Sequence, residues 1–249
     1  MFTNLRIWLN HFEYHADQPR GARGCSPNAL PPEERRLIAH SIATFQLGEQ
    51  SDGTGFLRAA YRFAGVHGDE LLPRITELFI REEQRHARLL REFMEEHGIR
   101  AKRRHWSDAV FRRVRRLAGF ELYLHVLITA ELIGNVYYRA LESVTGCQRL
   151  RVLCRTLLAD QLAHVGYESE LILELRARKP AGLRTLTRLA HRAFFCGTAC
   201  SVWVSHRAVL RSAGYSVADF LRACFAQYAF HLDAPEGWST SAAGSARRR

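Results

Sequence analysis

The chain has 249 residues, of which 47% are hydrophobic and 24% are charged. A chain of this length can bury a core without disulfide support, and the composition excludes a largely disordered protein. The six cysteines contain no CxxC pair, and no run of about 18 apolar residues occurs. The sequence therefore predicts neither a disulfide scaffold nor a membrane span, and we expect a cytoplasmic protein.

The net charge of +11 comes almost entirely from arginine, because Lys102 and Lys179 are the only lysines. Such a charge would suit an anionic partner. The arginines are spread along the chain, however, without an aromatic-interleaved recognition motif. The pattern therefore favours a solvated basic surface over nucleic-acid binding.

Residues 1–32 are predicted to be an N-terminal segment followed by a loop. The segment is short and apolar, and the loop over 17–32 is rich in proline, glycine, serine and asparagine. Apolar residues then recur at helical spacing over 33–64, which predicts helix A. Gly53 and Gly55 are expected to kink this helix.

Three further helices follow from the same periodicity, namely helix B over 69–96, helix C over 119–143 and helix D over 148–178. The segment 98–118 separates the A–B pair from the C–D pair, and it is long enough to cross the length of a helical bundle. A long crossover between two helical hairpins is the connection of ferritin-like folds. The sequence thus predicts an all-α chain with a ferritin-like four-helix bundle.

The predicted bundle covers residues 33–178. Two additional C-terminal helices, over 183–212 and 216–231, form a predicted extension at 179–233. The tail over 234–249 is predicted to be disordered and basic.

The apolar stripes of the four helices carry ionisable side chains at one level. Glu83 and His86 lie three residues apart on helix B, so they project toward the same point. His164 lies on helix D, while Glu49 and Glu131 supply single carboxylates from helices A and C. A buried carboxylate is costly unless it is paired or binds a metal. Carboxylates and imidazoles without a thiolate favour iron or manganese over structural zinc, and the arrangement predicts a dinuclear site.

The order Glu49, Glu83-x-x-His86, Glu131 and x-x-His164 resembles the ferritin-like di-iron carboxylate superfamily. The phrase REEQRHARLL is similar to the second-helix motif of that superfamily. The resemblance implies two iron ions, with manganese or a mixed iron–manganese pair as the alternative. It implies that Glu49 and His86 bind one ion, that Glu131 and His164 bind the other, and that Glu83 bridges them.

The fourth-helix motif departs from the superfamily pattern. It is usually Asp-Glu-x-x-His, whereas residues 160–164 read DQLAH, so Gln161 stands where a second bridging glutamate is expected. A neutral amide binds a hard cation more weakly than a carboxylate does. Asp160 matches the acid that, by the resemblance, accepts the other ring proton of His86.

Two other acids are candidate substitute ligands. Glu168 lies one helical turn beyond His164, and its alternative role is an acid at the bundle end paired with an arginine. Asp52 lies three residues beyond Glu49, and the favoured interpretation is a residue at a helix end before Gly53.

The remaining aromatic and histidine residues carry weaker signals. Tyr137 and Tyr138 are predicted to be core residues that could lie near the metals. Six histidines lack a partner at metal-binding spacing and are predicted to be structural or surface residues: His40, His67, His125, His191, His206 and His231.

The resemblance implies an O2-dependent di-iron oxidase or monooxygenase that acts on a small organic substrate. Its partners would be O2 and an electron donor protein or reductant, and the sequence leaves open whether the chain forms a homodimer. Iron storage is disfavoured by the two extra helices and the basic exterior. Two alternatives stay open. One is a ferritin-like protein that acts on or binds tRNA, and the other is a non-catalytic binding or scaffold protein with a degenerate metal site.

Overall fold

The computed structural model describes residues 2–16, 30–50, 53–102 and 119–233, and these residues are all-α, as predicted. The helices of these ranges are α1 (Leu5–Ala16), α2 (Pro32–Glu49), α3 (Thr54–His67), α4 (Leu72–Glu96), α5 (Phe120–Val144), α6 (Gln148–Ala177), α7 (Ala181–Ser212) and α8 (Val217–Leu232). None of them is long and apolar enough to cross a membrane.

The expected helices B, C and D are observed as α4, α5 and α6, and the two C-terminal helices as α7 and α8. The prediction of one helix over 33–64 was wrong, because α2 and α3 are separate helices. Gly53 precedes α3 with a φ of 69°, a left-handed conformation that favours glycine. A Cβ at this position would also collide with the side chain of Ile80. The break is therefore fixed both by local conformation and by close approach to α4.

Four helices, α2, α4, α5 and α6, enclose a common interior. Helix α2 packs against α4, and α5 packs against α6. Arg85 of α4 donates to Asp160 of α6 at 2.7 Å, which joins the two pairs on one side. The hydroxyls of Ser41 on α2 and Tyr137 on α5 lie 2.8 Å apart and join them on the other side.

The interior consists of a polar layer between two hydrophobic clusters. On α4, Phe79 belongs to one cluster and Leu90 to the other. On α6, Ile172 belongs to the same cluster as Phe79, and Leu157 belongs to the same cluster as Leu90. The residues between them on both helices include the charged side chains of the predicted site, which therefore lie at one level between apolar layers.

Helix α1 covers one side of this layer, although the sequence indicated only a short apolar segment there. The indole of Trp8 donates to Glu170 Oε2 at 2.8 Å. The absence of a side chain at Gly166 permits this approach, because a Cβ there would lie 2.9 Å from Trp8. Phe12 is fully buried, with its ring centroid 5.9 Å from that of His164.

Helices α7 and α8 pack on the outside of α5, and α8 also contacts α6. Phe195 of α7 and Phe220 and Tyr228 of α8 are buried in this contact. Helix α8 begins with a capping box in which Ser216 and Asp219 satisfy each other's backbone N–H groups. The extension is thus a packed part of the described structure.

Several predictions fall on residues outside the described ranges. They concern most of the loop over 17–32, the candidate ligand Asp52, most of the crossover segment over 98–118, and the tail over 234–249. The ferritin-like connection depends on that crossover, so it stays a prediction.

Candidate metal centre

Glu83 and His86 of α4 meet His164 of α6 in the interior. Each offers one ligand atom, and the three atoms lie within 4.8 Å of one another. Glu83 Oε1 lies 3.3 Å from His86 Nδ1 and 3.0 Å from His164 Nδ1. A single carboxylate oxygen therefore lies between two imidazole nitrogens, and this group could hold a metal ion.

The far side of each imidazole faces a carboxylate on the opposite helix. His86 Nε2 lies 3.1 Å from Oδ2 of Asp160 on α6. His164 Nε2 lies 2.9 Å from Oε2 of Glu82 on α4. Carboxylates in this position fix the orientation and the tautomer of a metal-binding histidine. Both rings are thereby held with Nδ1 toward the centre.

Sequence reasoning missed Glu82. A signal was present, because Glu82-Glu83-x-x-His86 repeats the pattern of Asp160-Gln161-x-x-His164. The first acid of each motif contacts the histidine of the other motif, a relation that only the packing of α4 against α6 reveals.

Glu131 and Glu49 complete the set of predicted ligands. Glu131 Oε1 lies 3.4 Å from His164 Nδ1. Glu49 Oε1 accepts a hydrogen bond of 2.9 Å from the hydroxyl of Tyr138. Burial and the charges of Glu83 and Glu131 raise the pKa of Glu49 well above its usual value, which means that these carboxylates interact strongly. The structure thus brings all five predicted ligands to one interior.

Glu168 also lies in this interior. Its side chain is fully buried, and neither carboxylate oxygen has a hydrogen-bond partner among the described residues. Burial and the negative charge of Glu131 raise its pKa well above the usual value. The alternative role of Glu168, an ion pair with an arginine, is not observed in the described part of the chain. A buried carboxyl group without partners requires another explanation.

Gln161 is buried against α5. A Cβ at Gly134 would lie 3.0 Å from Gln161 Nε2, so the glycine leaves room for the amide. The carbonyl oxygen Oε1 of Gln161 has no hydrogen-bond partner in the described ranges. Gln161 therefore stays a candidate ligand.

Comparison with known proteins assigns no family. No protein-family model, no curated protein and no solved structure matches the chain. The ferritin-like resemblance thus rests on the sequence motifs, and any function must be argued from the geometry of the site.

The surrounding acids raise the pKa values of the two histidines. Burial alone would lower the pKa of His86, but hydrogen bonds with Asp160 and Glu83 raise it to about 9. The pKa of His164 is also raised against the effect of burial, by Glu131, Glu82 and Glu83. A metal cation can replace these protons, because it binds imidazole only in the neutral form.

The buried carboxylate oxygens that lack hydrogen-bond partners indicate whether a metal ion would fit this site. Among the described residues, buried carboxylate oxygens without a hydrogen-bond partner belong to Glu82, Glu131 and Glu168. Each costs free energy unless a cation or donor compensates it. Oxygen and imidazole ligands without a thiolate suit iron or manganese. The residues therefore fit a metal centre with more than one carboxylate ligand.

Proposed function

We propose that this protein is a ferritin-like, non-haem di-iron oxidase or oxygenase that acts on a small organic molecule. One observation carries the proposal: Glu83 Oε1 lies between the Nδ1 atoms of two buried histidines, and nearby oxygens of Glu131 and Glu168 have no hydrogen-bond partner among the described residues. Carboxylates and imidazoles from the helices of a bundle are the kind of donor set that holds a pair of iron ions.

In this proposal Glu49 and His86 would hold one ion, Glu131 and His164 would hold the other, and Glu83 would contribute to both. The fourth helix would then lack its usual carboxylate ligand, because its motif contains glutamine. Glu168 would supply a carboxylate, since its side chain is buried one turn beyond His164 and neither of its oxygens has a hydrogen-bond partner in the described ranges.

When bound, a reduced iron pair supplies the capacity to react with O2 and oxidise an organic substrate. The protein orients the ligand side chains and excludes water from the centre. Asp160 and Glu82 hold the imidazole rings, while the Tyr138 hydroxyl orients the Glu49 carboxylate. Phe12 covers the His164 side of the centre with an apolar ring.

The direct test is the iron content of the protein after anaerobic loading with Fe(II), followed by the optical spectrum on exposure to O2. We expect about two ions per chain and an absorption change that follows O2 addition. The matched control is Glu121→Gln, which alters a partly buried acid beside His125, away from the proposed centre. Iron content far below two, or iron without any response to O2, would contradict the proposal.

One observation favours a non-catalytic scaffold as the second candidate. When His86 and His164 are protonated they form ion pairs with Asp160, Glu82 and Glu83, so the cluster can stabilise the helices without a metal. The thermal melting temperature with and without added Fe(II) or Mn(II) separates the two functions. A scaffold shows no metal-dependent shift, whereas a metal centre is stabilised by the ion that it binds.

A further inference from the structure

The outward face of α7 is apolar although it has no neighbour in the described structure. Leu186 and Leu189 are 62% and 57% exposed, and Leu183 and Val204 are similarly exposed. Single exposed leucines are ordinary, but several on one helix form a patch that typically marks an interaction site. We define the α7 face by these four residues.

The same helix is strongly basic. Its 32 residues contain five arginines and no acidic residue. Arg207 and Arg211 are exposed and form no ion pair with any residue in the described ranges. Leu189 and Arg207 are separated by five helical turns, and Leu186 and Arg211 by about seven, so they lie on the same side of the helix. The α7 face thus combines exposed leucines with unpaired cationic side chains.

This combination distinguishes among the macromolecules that could cover the face. A nucleic acid would pair with the arginines but would leave the leucines in water. A second copy would bury the leucines but would bring two sets of arginines together, at a cost in repulsion. An anionic lipid surface accommodates both kinds of side chain. The leucines enter the boundary of the acyl chains, while the guanidinium groups of the arginines reach the lipid phosphates. A helix of 32 residues is about 48 Å long, which gives it an extended side to lie along such a surface.

We propose that α7 docks the protein on an anionic lipid surface through the α7 face and its arginines. The proposal is independent of the metal centre, whose ligands lie on α2, α4, α5 and α6. The helix lies on the surface and does not enter the bilayer core, since its opposite side is packed on α5 and α2.

The test is co-sedimentation of the full chain with vesicles. Vesicles of phosphatidylcholine alone are compared with vesicles that also contain phosphatidylglycerol. We expect binding to the anionic vesicles, at least about tenfold weaker binding to the neutral ones, and release by high salt. Wild-type protein that stays in solution with the anionic vesicles at low salt overturns the proposal.

Two paired variants test the two components of the face. Leu186→Asp with Leu189→Asp should weaken vesicle binding at least about tenfold, because two apolar side chains no longer enter the interface. Val66→Asp is the control, since Val66 is 80% exposed on α3. Arg207→Glu with Arg211→Glu should weaken binding by a similar factor, whereas Arg139→Glu on α5 should not. Circular dichroism verifies folding, and Leu186→Gln with Leu189→Gln replaces the aspartate pair if helix is lost.

Two results would assign the face to another partner and overturn the lipid proposal. In a gel-shift assay with tRNA, binding that the arginine variant loses and the leucine variant keeps would indicate a nucleic-acid surface. In sedimentation velocity, a wild-type dimer that the leucine variant converts to monomer would indicate contact with a second copy.

Discussion

Two buried polar clusters both include residues of α5 and α6, and they differ in which of their polar groups lack hydrogen-bond partners. At the candidate metal centre, several carboxylate oxygens have no hydrogen-bond partner among the described residues. The other cluster contains His125, Thr129, Arg176, His191 and Tyr228, and we call it the α7-side cluster. Here both nitrogens of the central imidazole have partners.

The tautomer of His191 follows from its neighbours. Thr129 Oγ1 donates to the carbonyl of His125 at 2.7 Å, so it accepts from His191 Nε2–H at 3.0 Å. His191 Nδ1 then carries no proton and accepts from Arg176 at 2.9 Å. Burial, His125 and Arg176 together lower the pKa of His191 to about 2.

The comparison teaches that buried histidines alone do not indicate a metal site. In the α7-side cluster the imidazole is neutral, and its nitrogens are used in hydrogen bonds to the protein. At the candidate metal centre the imidazoles face an excess of carboxylate oxygens that only a cation or a proton can compensate. The predictions that follow test this difference, from the largest expected effect to the smallest.

Glu83→Ala should remove most of the bound metal, because Glu83 is the carboxylate between the two imidazoles. The measurement is metal content per chain after loading and desalting. His191→Ala in the α7-side cluster is the matched control and should keep its metal. Full metal content in the Glu83→Ala protein would show that Glu83 is not a metal ligand.

Asp160→Asn and Glu82→Gln should each lower metal affinity by about 10–100-fold without preventing folding, because the imidazole rings lose the acceptors that orient them. A metal titration measures the effect, and a thermal melt verifies the fold. Glu121→Gln, which changes the acid beside His125, should leave the affinity unaltered. An unchanged affinity in the first two variants would show that these acids do not support metal binding.

Glu168→Gln should stabilise the chelated protein at alkaline pH while weakening metal binding. The raised pKa means that Glu168 loses its proton at a higher pH in the folded state than in the unfolded state, where the ordinary value is 4.5. The contribution of Glu168 to the stability of the chelated protein therefore falls as the pH rises above 4.5, and glutamine removes this loss. Urea unfolding at pH 5 and pH 8 measures it. Parallel pH dependence in wild type and variant would contradict the prediction.

His191 should produce the opposite pH dependence. The folded state does not protonate it until about pH 2, whereas the unfolded state does so near 6.5. Stability therefore falls as the pH drops below 6.5, by about 2 kcal/mol at pH 5. His191→Gln should flatten this acid-side slope in urea unfolding. His86, with a pKa of about 9, acts in the other direction, since its contribution is complete below 6.5 and is lost as the pH rises toward 9.

Gln161→Glu should raise metal affinity, because it adds one negative charge beside the cations. The gain should be modest, below about tenfold, if Glu168 already supplies a carboxylate from the same helix. Competition with a chelator of known affinity measures the change. Lower occupancy in this variant would mean that the amide is fitted to a different ligand arrangement.

The sequence by itself determined the all-α class and the positions of most helices. Long segments with a 3.6-residue period leave little ambiguity, and α4, α5 and α6 begin and end within a few residues of the expected bounds. It also predicted that Glu83, His86 and His164 meet. A spacing of three residues places two side chains on one helix face wherever that helix packs.

The tertiary structure alone decided how the site is completed. Glu82 contacts His164, and Phe12 lies over the centre, so each pair joins residues far apart in the chain. The tertiary structure also buries Glu168 without a hydrogen-bond partner in the described ranges. The break before α3 likewise depends on the approach of Gly53 to Ile80. Such features depend on how one helix packs against another. The periodicity of side chains within a helix specifies which face is buried, but it does not specify which residues of other helices contact that face.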